Sequence, residues 1–227
     1  MKRLFLSIVF CICIVLPASA QNINVINDLG IEAEELEMVQ ERIKEKVDDF
    51  QRWLQDLAGR GNLSHKEKMA VYDRAIKLFI GEGKPYTIPV PSPYGGFEEK
   101  TFPAVKMGTI NSKFSGERRK TPMKDYLMGL INKSENPNYK YKQIVIEAAA
   151  AVRVDNFSKV GEGRYTATAH ILQHFVGYRD NELRFFYEDY TAKRITIFIN
   201  RIELVNPEGI EHYWEIQLGD VDCDDIW

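Results

Sequence analysis

From Ile144 to the C-terminus the chain alternates, and the length of that alternation restricts the fold more than any other feature. Tyr165, Ala167, Ala169, Ile171, Gln173 and Phe175 share one side of a two-residue period, with Thr166, Thr168, His170, Leu172, His174 and Val176 on the other. This predicts one unbroken strand over Arg164–Tyr178. Ile144 to Val154 alternates around four alanines with β-branched flanks, and is also read as one strand. Arg184–Leu204 is read as a longer strand. Its apolar phase slips near Asn200, where Ile195, Ile197 and Ile199 give way to Ile202 and Leu204, and a one-residue slip predicts a bulge and a bend. Gly161-Glu162-Gly163, Asp180-Asn181 and Asn206-Pro207-Glu208-Gly209 supply turns, and Tyr213–Val221 ends the series. Long strands joined by tight turns pair as antiparallel neighbours and must bury one face.

The elements that can cover that face come first. Leu36, Val39, Ile43, Val47, Phe50, Leu54 and Leu57 follow steps of three and four, with Trp53 widening the stripe, and predict an amphipathic helix stopped by Gly59 and Gly61. Ser64-His65-Lys66-Glu67 has capping-box spacing and opens a second helix, with Met69, Tyr72, Ile76 and Phe79 as its apolar face and Gly81 as its stop. Thr121 and Pro122 open a third helix that buries Tyr126, Leu127, Leu130 and Ile131 and ends at Asn136-Pro137-Asn138. A short strand is expected near Ala104–Ile110. Between the second and third helices, Pro85, Pro89, Pro91, Pro93, Gly95 and Gly96 exclude a helix or a central strand over residues 84–100. That stretch is read as an ordered crossover or a flap. Its Tyr86, Tyr94 and Phe97 make it a candidate recognition segment or ligand lid, with a plain connector as the other reading. Helices first and strands last make a single α+β domain over residues 31–227, with the helices packed on a strongly curved antiparallel sheet to form a cone with an interior.

Ahead of the domain stand Met1–Ala20 and a polar lead over residues 21–30, expected to be flexible. Lys2 and Arg3, the apolar run Leu4–Leu16, Pro17 and Ala18-Ser19-Ala20 have the layout of a cleaved secretory signal. The apolar run is short for a hydrocarbon core of roughly 30 Å. Phe10 before Cys11 and Ile12 before Cys13 do not suit a lipoprotein site. No later stretch is apolar over a membrane-spanning length, so the mature chain is expected in the periplasm, at the cell surface or outside the cell, with no transmembrane segment. Removal of the signal leaves 28 basic and 33 acidic residues, a net charge of −5. That balance argues against a nucleic-acid partner. It also leaves Cys223 alone, so no disulfide can form within the chain.

Motifs for familiar chemistries are missing. The sequence has no G-x-S-x-G elbow, no phosphate-binding glycine loop and no H-x-x-x-H helix pair. His170 and His174 are about 13 Å apart by strand rise, too far to share one metal, and are read as surface residues. Asp220, Asp222, Asp224 and Asp225 lack the glycine and the closing glutamate of a calcium loop, and read as a solvated acidic end. Glu117-Arg118-Arg119-Lys120 reads as a solvated loop. No metal or cofactor is expected.

The layout over Ile31–Val221 resembles the nuclear-transport-factor-2-like superfamily, whose members are cystatin-like α+β cones. The resemblance is carried by the opening helical pair, by Lys124-Asp125-Tyr126-Leu127 in the third helix and by the closing strands. Gln173-His174-Phe175-Val176-Gly177-Tyr178 and Asp189-Tyr190-Thr191-Ala192-Lys193-Arg194 are also similar to exported proteins of this type from Bacteroidetes-like bacteria. The resemblance implies a bacterial chain with a pocket inside the cone, and superfamily members with isomerase or dehydratase activity keep an Asp, Tyr or His there. Tyr165, Gln173 and Asp189 are the candidates on this chain. Gln173 lies between Ile171 and Phe175 on an apolar face, where an amide must find partners, in the core or in a ligand. Fold alone does not license a reaction. The expected function is therefore a non-catalytic exported binding or assembly module that engages a small ligand or an envelope protein. The alternative is a small isomerase or dehydratase using Asp189, Tyr165 or a histidine as acid/base. A cystatin-like inhibitor has no sequence feature in its favour, and a homo-oligomer stays open.

Overall fold

A computed structural model describes residues 29–59, 63–111, 117–179, 185–207 and 209–224. The signal segment Met1–Ala20, most of the lead, the Asp180-Asn181 turn and the tail Asp225–Trp227 lie outside the described residues.

The apolar stripe of the first helix gives α1, Ala33–Ala58, with Leu36, Val39, Ile43, Val47, Phe50, Leu54 and Leu57 all buried. At 1.5 Å per residue it is about 39 Å long. Ser64 caps α2, His65–Ile76, with both hydrogen bonds of the capping box in place. The buried face of α2 is turned from the expected one: Lys68, Val71, Ala75 and Ile76 are buried, while Met69 and Tyr72 are only partly covered. Lys68 joins the helices, its Nζ donating to the Gly59 carbonyl at the end of α1 (2.7 Å) and to Ser134 Oγ (2.6 Å). That serine belongs to α3, Met123–Glu135, which buries Met123, Leu127, Leu130 and Ile131.

Pro89 and Pro91 do not prevent a hairpin. After a 3-10 turn at Ile80–Gly83, β1 (Tyr86–Pro91) and β2 (Phe97–Phe102) pair as a separate two-stranded sheet. Prolines are tolerated there because neither strand is central. Next come β3 (Lys106–Asn111) and β4 (Glu117–Pro122), so the basic run read as a loop is an edge strand paired with β3. Charged side chains suit an exposed edge and hide its strand character.

The remaining strands are β5 (Gln143–Ala148), β6 (Arg153–Gly161), β7 (Arg164–Tyr178), β8 (Phe185–Asn206) and β9 (Gly209–Asp224). The single strand expected over Ile144–Val154 is two. Ala148 pairs with Gln173 and Arg153 with His170, so the chain spends extra residues at 149–152 between two partners on β7. The sheet runs β4-β3-β9-β8-β7-β5, with β6 also on β7. It is mixed rather than wholly antiparallel, because β3 joins β9 in parallel through Met107 and Val221. The two backbones come so close that a Cβ on Gly108 would lie 2.8 Å from the Val221 carbonyl. The sheet is open and does not close on itself. The bulge expected near Asn200 lies elsewhere: β8 pairs with β9 without a shift around Asn200, and the register breaks between Ile195 and Ile197, opposite Gly219 and Asp220. The apolar slip at Asn200 marks where β7 ends, since Asn200 pairs with Arg164. Beyond it the β8–β9 hairpin projects, with Val205 80% exposed.

The helices cover one face. Tyr165, Ala167, Ala169 and Ile171 of β7, Ile195, Ile197 and Ile199 of β8, and Ile216 and Leu218 of β9 are buried in one core with α1. The first helix runs toward the β5 edge, where Gln55 bonds the Ile144 carbonyl (3.2 Å) and the Ile146 N–H (2.5 Å). This leaves the ends of β3, β8 and β9 to α3. Among the described residues no helix is long and apolar enough to cross a membrane.

Candidate functional site

Alternation on β8 places Tyr187, Asp189, Thr191 and Lys193 on the face that carries Ile195 and Ile197 farther along. Register brings Phe175 opposite Asp189, Gln173 opposite Thr191, and Cys223 opposite Lys193. These side chains, with Thr109 and Ile110 of β3, Tyr126 of α3, and Lys140 and Tyr141 of the following loop, line a half-open cavity of about 310 Å³. That is the lower end of the range for small-molecule sites.

The walls differ in character. Toward the outside, Tyr141, Phe175 and Tyr187 form an aromatic cluster, with ring centroids 5.8 Å apart for Tyr141–Phe175 and 5.9 Å for Phe175–Tyr187. The Lys140 ammonium sits 4.6 Å from the Tyr141 ring centre. Gly177 is what lets Tyr141 lie down here, because a Cβ at that position would meet its ring atoms at 2.6 to 3.0 Å. The Tyr187 hydroxyl donates to Asp189 (2.8 Å). Deeper in, the polar groups are sparsely served. Gln173 is 7% exposed and donates through Nε2 to Gln51 Oε1 of α1 (2.8 Å). Lys193 is 4% exposed, and its Nζ meets Met107 Sδ at 3.5 Å. Burial pushes the Lys193 ammonium down from its ordinary pKa and the Tyr126 phenol up from its own. The Cys223 thiol donates to the Gly108 carbonyl (3.0 Å).

Gln173 and Asp189 therefore line one pocket, but Tyr165 does not join them. It sits at the far end of β7, buried with its ring 5.8 Å from Trp214, where it borders a wider cleft of about 580 Å³ beneath β1. In that cleft Arg164 pairs with Glu99 (3.3 Å) and Arg201 with Glu35 (3.8 Å), while Arg201 Nε is buried without a hydrogen-bond partner among the described residues. The candidate recognition segment also divides. Tyr86 stacks on Phe102 (5.7 Å) and meets Phe198 edge-on (5.8 Å), an anchor whose phenol burial pushes up to about 12. Tyr94 is 97% exposed and Phe97 49%.

The histidines lie outside the cavity. His170 bonds Asp155 (2.9 Å), and His174 bonds Glu147 (2.9 Å) and Glu188 (2.8 Å) on the opposite face of the sheet. Asp220 and Asp222 serve structure: Asp220 accepts from the Lys106 N–H, and Asp222 pairs with Lys120. Among the described residues no three His, Cys, Asp or Glu side chains are grouped to hold a metal ion. Sequence reasoning missed Lys193. The signal was available, because Lys193 continues the Ile195–Ile199 face backward by one alternation and a lysine on a buried face is exceptional. Neither a protein-family model nor any curated protein matches the chain.

Proposed function

We propose that the protein is an exported binding module of the nuclear-transport-factor-2-like kind, and that its ligand is a small molecule held between α3 and the ends of β3, β7, β8 and β9. One observation carries the reading. Thr109, Tyr126, Gln173, Thr191 and Lys193 all line one half-open pocket. Among the described residues the three hydroxyls have no side-chain hydrogen bond, and the amine has only a thioether. These half-buried hydroxyls and the buried amine are hydrogen-bonding positions that a ligand can fill, while the aromatic cluster takes up its apolar part. Helices on one face of a mostly antiparallel sheet support the superfamily reading, and the layout of Met1–Ala20 supports export.

Native mass spectrometry of the protein isolated from its host's envelope tests this. The expected species has a chain beginning at Gln21 and carries an extra mass in the small-molecule range, which Thr191→Trp removes by filling the cavity. A clean apo monomer, or an oligomer without added mass, would move the function to a surface. Turnover of a test substrate abolished by Asp189→Asn would overturn the non-catalytic part.

A further inference from the structure

Lys193 is a cation in the wrong place unless something answers it. Its side chain is 96% covered, its neighbour across the ladder is Cys223, and its one hydrogen-bond contact among the described residues, Met107 Sδ, is a weak acceptor. Among the described residues no carboxylate lies within ion-pair distance of Nζ. Asp189, on the same strand and the same cavity wall, is engaged by the Tyr187 hydroxyl instead. An amine held this way gives up its proton more readily than an exposed lysine, since burial displaces its pKa downward. A neutral lysine amine is a nucleophile.

We infer that Lys193 captures the carbonyl group of an aldehyde or ketone ligand as a reversible imine inside the cavity, with the body of the ligand against Tyr141, Phe175 and Tyr187. This rests on the cavity being the ligand site. The Nζ lone pair adds to the carbonyl carbon, the carbonyl π electrons move to oxygen, and a proton passes from nitrogen to oxygen to give a carbinolamine. A second proton then reaches that oxygen from solvent, the C–O bond breaks, water leaves as the C=N bond forms, and the remaining nitrogen proton returns to solvent. The balance is amine plus carbonyl giving imine plus water. The Tyr126 phenol, kept protonated by its burial, and the Thr191 hydroxyl border the same space and supply hydrogen bonds for the departing oxygen. A carboxylate ligand fits the site less well. It would require the amine to be protonated and two charges to be held out of water, whereas carbonyl capture needs neither.

The test treats the mature protein with 4-hydroxybenzaldehyde and sodium cyanoborohydride at pH 7, then maps the reduced adducts by peptide mass spectrometry. Lys193 should carry at least about tenfold more adduct than exposed lysines away from the cavity such as Lys77, because more of it is unprotonated. Lys193→Met should lose that adduct and leave the others unchanged. Should that variant not fold, the wild type decides. Labelling of Lys193 should rise less steeply from pH 7 to 9 than that of surface lysines, which gain about tenfold per unit. Adducts that follow exposure, with Lys193 unlabelled or rising in parallel with the surface, would overturn the inference. Thermal stabilisation by benzoate without adduct at Lys193 would overturn carbonyl capture and leave the cavity as a binding site. Silence toward both probes, together with an apo mass from the host, would overturn the binding reading itself.

Discussion

At the scale of single residues, the two groups whose proton affinity is most informative pull in opposite directions. Lys193 holds its proton less tightly in the folded chain than its ordinary 10.5, through burial. Between the lowered folded value and 10.5 the unfolded chain binds more protons, so this residue makes stability rise with pH. Lys193→Met removes a poorly served amine from the core and should raise stability at pH 7 by about 1–2 kcal/mol in urea unfolding. That advantage should shrink as the pH approaches 10. His174 is the converse. The hydrogen bond to Glu147, helped by Glu188 and opposed by partial burial, holds its pKa above 6.5. Its contribution is complete below 6.5 and is lost as pH rises through the elevated folded value. A stability difference between wild type and His174→Asn that is largest near pH 6 and fades toward pH 8.5 would show this. A difference that grows with pH would mean that the Glu147–His174–Glu188 cluster does not stabilise the fold.

At the scale of elements, the helices were readable and the strand breaks were not. The stripe of α1 encodes its own burial, and Ser64 with Glu67 encodes the start of α2. Ser64→Ala should therefore cost about 1 kcal/mol, measured by thermal or denaturant unfolding. The interruption at 149–152 left no mark, because four alanines continue an alternating pattern while the chain inserts extra residues between two partners on β7. The β1–β2 hairpin was hidden by prolines that only a central strand would reject, and β4 by the charges that protect an edge. Gly177 ties an element to the site. It pairs with Ile144 and Tyr187 on the neighbouring strands and leaves room for the Tyr141 ring. Gly177→Ala should displace that ring and destabilise the protein by about 1–3 kcal/mol. If the melting temperature is unchanged, Tyr141 does not lie where the cavity needs it.

At the scale of the whole molecule, what could not be read is what depends on distant partners. Period two shows that Gln173 and Lys193 face inward. It does not show that Met107, which lies 86 residues from Lys193 in sequence, is the hydrogen-bond partner of that amine, nor that β3 joins β9 in parallel. Gln173 and Asp189 were therefore legible as residues of one pocket wall, and Lys193 was not. The same geometry decides between the two functional readings of the Pro-rich crossover. The hairpin meets the body at Phe198, at Gly161 through Pro89, and at Arg164 through Glu99, all around the N-terminal end of β7. The cavity lies around Gln173 and Phe175 on that strand, roughly 30 Å away by strand rise. A hairpin seated there is not the lid of this cavity, and Tyr94 and Phe97 at its tip are available to a partner while the cavity is occupied. The double substitution Tyr94→Ser, Phe97→Ser should leave stability within about 0.5 kcal/mol. It should also leave both the adduct yield at Lys193 and the amide exchange of residues 189–193 unchanged. If it slows exchange or lowers the adduct, the hairpin reaches the cavity in solution, and binding at the tip and binding in the cavity are one event rather than two.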